Sequence, residues 1–165
     1  MRSRIFSVFL SVVLLALLVS GPSLAQDEWV VRSSSQSVPD TVARLEQAIE
    51  RSGSRVLAVF DHEAAAQEID YVLAPTTVVV FAQPKASLPL IEANRRLAIE
   101  MPQKILVWEE DGTTYVGYVS PFSMVGRYAL DPAQPEIEAL RSSLDALVSA
   151  ALSRPERRSG IAEAQ

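Results

Sequence analysis

His62 is the single histidine of the chain, and there is no cysteine. Its imidazole is the one side chain whose ordinary pKa lies near neutrality, so it is the first candidate for proton transfer. Asp61 precedes it. Neighbours on an extended strand point to opposite faces, so Asp61 cannot orient His62 as the acid of a triad would. Asp61 reads better as the N-cap of a short helix over Glu63 to Glu68. His62 then lies at the positive end of that helix, which favours the neutral imidazole. A neutral imidazole serves a general base or a metal ligand, and a solvated surface histidine looks the same in sequence.

Metal binding needs several ligands that converge. His62 and Glu63 are the candidates, with Glu68 or Asp70 as a third, but no H-x-x-x-H or carboxylate loop supports them. Glu109-Glu110-Asp111-Gly112 is acidic without the alternating oxygen ligands of a calcium loop, and solvation of a hairpin tip accounts for it. Glu92, Glu100 and Glu109 are unpaired in sequence. There is no G-x-S-x-G, no phosphate-binding glycine loop and no dinucleotide fingerprint. The lack of cysteine excludes disulfides, thiolate zinc sites and thiol nucleophiles. A net charge of −5, from 15 Lys plus Arg against 20 Asp plus Glu, argues against a nucleic-acid surface. No cofactor is specified.

The elements that must position these residues are legible in the periodicity. Trp29-Val30-Val31 opens a first strand. Ser37, Pro39 and Asp40 form a helix start, and Val38, Val42, Leu45 and Ile49 share one face of the helix that ends at Gly53. Val56 to Phe60 is an apolar strand. Thr76 to Phe81 is a second one, without polar alternation, and such a run predicts cover on both faces. Leu90, Ala93, Leu97 and Met101 predict one helix, stopped by Pro102. Lys104 to Glu109 and Thr113 to Val119 flank Asp111-Gly112, a two-residue hairpin turn.

That turn sets Trp108 opposite Tyr115, Val107 opposite Val116 and Ile105 opposite Tyr118. One hairpin face carries Ile105, Val107, Val116 and Tyr118; the other carries Leu106, Trp108 and Tyr115. Both faces are apolar. The second awaits a partner subunit, a ligand, or a loop of the same chain such as Pro121 to Leu130. Ile137, Leu140, Leu144, Leu147 and Ala151 form a last amphipathic helix, and residues 153–165 read as a disordered tail.

The N-terminus reads as an export signal. Arg2 and Arg4 precede an apolar run from Ile5 to Val19, Gly21-Pro22 ends it, and Ser23-Leu24-Ala25 offers small residues for cleavage after Ala25. The run is short for a membrane span, which needs about 20 apolar residues. The expectation is a signal peptide over 1–25 and one domain over 26–152, periplasmic or secreted, with no stable membrane anchor after cleavage.

Asp61-His62 with Ala64 to Ala66, Leu73, Pro75-Thr76-Thr77 and Phe81 to Lys85 resembles the domain-of-unknown-function family 302. Met101-Pro102, Lys104 to Gly112, Tyr118 and Pro121 continue the likeness, which covers about residues 29 to 130. The resemblance implies a small α+β domain with helices packed on a mainly antiparallel sheet, commonly a homodimer, and no established activity. His62 matches the family's histidine. Ala82 and Gln83 depart from its usual Phe-Gly-Asn-Pro, Ala74 from an arginine and Asp70 from a glycine, which points to an altered pocket at this loop.

The sequence therefore predicts an exported α+β domain with a small, mainly antiparallel sheet and helices on one face. Its expected role is small-ligand binding or protein interaction, with His62, Phe81, Gln83 and Lys85 around the ligand and Leu106, Trp108 and Tyr115 at a homodimer interface. One alternative is an enzyme or metal-dependent protein using His62 as base or ligand. Another is a structural dimer of the cell envelope.

Overall fold

The Ser37 hydroxyl accepts the backbone N–H of Asp40 at 3.2 Å and starts α1 (Val38–Arg51), with Pro39 where no N–H is needed. Gly53, at φ 78°, closes the turn after it in the left-handed region that glycine adopts without strain. The computed structural model describes residues 29–153. The expected leader over 1–25 and the expected tail beyond residue 153 lie outside the described residues.

β1 (Trp29–Ser34) precedes α1, and β2 (Arg55–Asp61), α2 (His62–Gln67) and β3 (Thr76–Ala82) follow it. Next come α3 (Pro84–Ala93), a 3-10 helix (Arg95–Glu100), β4 (Gln103–Glu110), β5 (Thr113–Val119), α4 (Ser123–Tyr128) and α5 (Pro135–Leu152). The strands form one five-stranded sheet in the order β1-β5-β4-β3-β2, antiparallel throughout. The α+β class read from the sequence is the class observed.

Asp111 and Gly112 both have positive φ, 50° and 73°, the combination that lets a two-residue turn follow the twist of its strands. The hairpin takes the expected register, with Val107 opposite Val116 and Trp108 opposite Tyr115. Ile105, Val107, Val116 and Tyr118 are buried with Val79 and Phe81 of β3. Against them pack α1, through Val38, Leu45 and Ile49, and α5, through Ile137, Leu140, Leu144 and Leu147. The Tyr118 hydroxyl donates to Asp145 Oδ1 at 2.5 Å, which ties α5 to the sheet. Burial and that carboxylate push the Tyr118 pKa well above the usual tyrosine range. Arg141, one helical turn before Asp145, pairs with it and with Glu138, and pulls the Glu138 carboxyl down to about 2.

Three expectations need correction. The helix expected over Leu90 to Met101 is two pieces, because Asn94 is extended at φ −149° and its side chain accepts the Arg96 N–H at 3.0 Å. Asparagine competes for backbone hydrogen bonds in this way and breaks the helix that the apolar spacing alone would continue. β3 is not covered on both faces. Thr77, Val79 and Phe81 are buried, while Thr76, Val78, Val80 and Ala82 are half-buried on a sheet face that carries no helix among the described residues. The segment Pro121 to Leu130 contains α4, and Phe122, Met124, Val125, Tyr128 and Leu130 pack into the main core. On the second hairpin face it borders Leu106 and Gly117.

Candidate functional site

β2 and β3 are antiparallel neighbours, with Asp61 opposite Thr77 and Arg55 opposite Ala82. His62 therefore follows one end of this pair and Gln83 the other, roughly 20 Å apart at the rise of a strand. His62 is exposed at the first position of α2, and Asp61 caps that helix by accepting the Ala64 N–H at 3.0 Å. Glu63 beside it is half-buried, and no group of three or more His, Asp or Glu able to hold a metal exists among the described residues.

The other expected ligand contacts also separate. Phe81 is fully buried in the core, where no ligand reaches it. Gln83 is buried and donates its amide to the Ser143 hydroxyl at 2.7 Å, while its Oε1 has no partner among the described residues. Gln83 lines a shallow hollow of about 280 Å³ with Pro84, Leu88, Met101 and Pro102; His62, Phe81 and Lys85 do not. Lys85 is exposed in the first turn of α3. The four residues do not form one cleft. Loops at the ends of two apolar strands could form a cleft, but the antiparallel pairing of β2 with β3 puts His62 and Gln83 at opposite ends of that pair.

The uncovered sheet face holds a larger hollow, of about 350 Å³. Its floor is apolar: Val78 from β3, Leu106 from β4, Gly117 and Val119 from β5, and Trp29 from β1. Pairing aligns these residues, since Leu106 lies opposite both Val78 and Gly117, and Trp29 lies opposite Val119. Gly117 lines the depression, and its neighbours close in on it. A Cβ there would come within 3.0 Å of the Val30 carbonyl oxygen, 3.2 Å of Trp108 Cζ3 and 3.3 Å of Val31 Cγ2. Glycine inside a strand marks such a close approach.

The rim is polar. Glu100, Lys104, Ser123 and Arg127 border it. Glu100 accepts from the Tyr128 hydroxyl at 2.5 Å and from Arg127 Nη1 at 2.8 Å, so the 3-10 helix and α4 are latched together. The Tyr128 hydrogen bond, helped by Arg127 and opposed by partial burial, holds the Glu100 pKa below the usual glutamate value. The same bond raises the Tyr128 pKa. Lys104, exposed on the same sheet face as Leu106, makes no ion pair among the described residues.

Leu106, Trp108 and Tyr115 also lie on this uncovered face, as the hairpin register required. The Trp108 and Tyr115 rings stack at 5.4 Å between centroids and 28° between planes. Trp29, Val31 and Phe60 extend the apolar surface outward and are exposed. The hollow joins residues from six separate elements, so no local motif announces it. Gly117 was its one local sign, a lone glycine in an apolar strand.

Residues 29–151 match the family described as domain of unknown function DUF302. The match runs through most of α5, past residue 130 where the sequence likeness was read to stop. The chain is 27% identical over 109 residues to the fluoride-specific ion channel FluC 1 of Brucella suis biovar 1 (strain 1330), covering 66% of this chain and 43% of that protein. The same identity and length relate it to fluoride-specific ion channel FluC 2 of Brucella melitensis biotype 1, over 40% of that protein. The chain thus spans less than half the length of these curated relatives. No helix among the described residues is long and apolar enough to cross a membrane. The crystal structure of an uncharacterized conserved DUF302 protein from Bacillus stearothermophilus has the same fold, at a TM-score of 0.69 and 24% identity. That likeness covers 76% of this chain and 98% of the other.

Proposed function

The chain belongs to the DUF302 family, a premise that supplies a fold without an activity, and we propose that it is an exported small-ligand-binding module. Its site is the hollow on the uncovered sheet face rather than the Phe81 to Lys85 segment. One observation carries the reading: a depression of about 350 Å³ with an apolar floor and a polar rim, set on paired strands. Small-molecule sites occupy roughly 300–1,000 Å³ and combine an apolar lining with a few placed polar groups in this way. Export rests on the basic start, apolar run and Ser23-Leu24-Ala25 of the leader.

Protein recovered from the cell envelope should begin at Gln26 and release a small organic molecule on denaturation, detected by mass spectrometry. Leu106→Trp, which fills the floor with an indole, should come out folded and empty. A variant that retains the same molecule would place binding elsewhere on the chain.

A second reading has its own support. The stacked Trp108 and Tyr115 rings, with Leu106 beside them, form an apolar surface that a second copy of the chain could cover. A homodimer across this face would close over the hollow instead of competing with it.

A further inference from the structure

We propose that the hollow takes an amphipathic monoanion, a carboxylate on an aliphatic body, anchored by the Lys104 ammonium. The inference rests on the reading of the hollow as a ligand site and adds the class of ligand. A body lying over Val78, Leu106, Gly117 and Val119 meets apolar surface, with the polar residues Gln103 and Ser120 also in the lining. At about 30 Å³ for each non-hydrogen atom, as in liquid water, 350 Å³ holds about a dozen such atoms.

Charge sets the head group. The rim carboxylate, Glu100, is already engaged by Arg127 and Tyr128. Lys104 closes no ion pair among the described residues and stands on the floor's own strand, two positions before Leu106. Lys104 lies near enough to Glu100 to help lower its pKa but closes no contact pair with it, and an anion seated there gives the ammonium a direct partner. The net charge of −5 opposes anions only at long range, because salt screens exposed charges beyond about 8 Å at physiological ionic strength.

The test is calorimetric titration of the whole purified protein with decanoate, decanol and decyltrimethylammonium, three probes that share one aliphatic body. Decanoate should bind at least tenfold more tightly than either of the others, and added salt should weaken decanoate alone. Lys104→Met should lower decanoate affinity about tenfold with decanol unchanged, and Lys104→Arg should restore most of the loss. Equal binding of decanol or of the cation, or a Lys104→Met protein that binds decanoate normally, would overturn the anion assignment and leave the hollow a ligand site. Failure of all three probes would overturn both.

Discussion

His62 and Gly117 show how residue type alone misleads and how it informs. His62 carries the most versatile side chain in the sequence, yet it stands exposed at a helix start, outside any group of three or more His, Asp or Glu among the described residues. His62→Ala should cost less than about 1 kcal/mol in urea unfolding, as exposed substitutions do, and should leave decanoate binding as it was. Gly117 carries no chemistry and lines the site. Its missing Cβ would face the Val30 carbonyl at 3.0 Å, and that carbonyl belongs to backbone paired along the whole of β1 rather than to a flexible side chain. Gly117→Ala should therefore destabilise by roughly 1–3 kcal/mol through overpacking, outweighing the usual gain of alanine over glycine in a strand. A Gly117→Ala protein as stable as wild type would mean that β1 can shift outward. Sequence chemistry favoured the histidine because reactivity is a property of one residue; a depression is a property of several.

At the scale of elements, local signals were legible wherever one element decided the outcome. Ser37 and Pro39 started α1, Asp111-Gly112 fixed the hairpin, and the hairpin placed Ile105 and Val107 in the core with Leu106 and Trp108 opposite. Signals failed where two elements decide together. The spacing of Leu90 and Leu97 holds across the Asn94 break, and both are fully buried, so periodicity could not reveal it. The latch between the 3-10 helix and α4 joins Glu100 to Arg127 and Tyr128, which no short window contains. This latch has a pH signature. Glu100 has a lowered pKa in the folded protein, so its stabilisation is present above the unfolded value near 4.3 and is lost as pH falls through the folded value. Its side chain is 26% exposed and that of Arg127 50%, so the ion pair contributes little beyond the hydrogen bonds. Glu100→Gln should lower stability by about 1 kcal/mol at pH 7, with the gap to wild type closing as pH falls through the folded pKa of Glu100. Urea midpoints at pH 7 and pH 3 check this, and a gap undiminished at pH 3 would show that side-chain shape, not charge, holds α4.

Among the described residues, the molecule is a sheet with one face sealed by helices and one left open. The apolar content of both hairpin faces was readable in sequence. The occupant of the second was not, because period-2 alternation reports that a face is apolar and says nothing of what covers it. β3 illustrates the point: its unbroken β-branched run was read as doubly covered, whereas Val78 and Val80 stay half-buried among their cross-strand neighbours. Phe60 on β2 and Ile69, Tyr71 and Val72 in the connector after α2 are exposed as well, Val72 at 94%. Apolar surface spread this widely marks an interaction site or an aggregation hazard. A two-fold dimer would set Trp108 and Tyr115 against the same patch of a second copy, since an isologous interface repeats one surface on both sides. Trp108→Glu tests this. A glutamate on a face open to water costs the monomer little, whereas the same carboxylate buried without a partner in a dimer costs several kcal/mol. Sedimentation should find wild type as a dimer and Trp108→Glu as a monomer whose circular dichroism is that of wild type. A variant that remains dimeric would move the interface off this face, and wild type that sediments as a monomer would leave the hollow open to solvent and to its ligand alone.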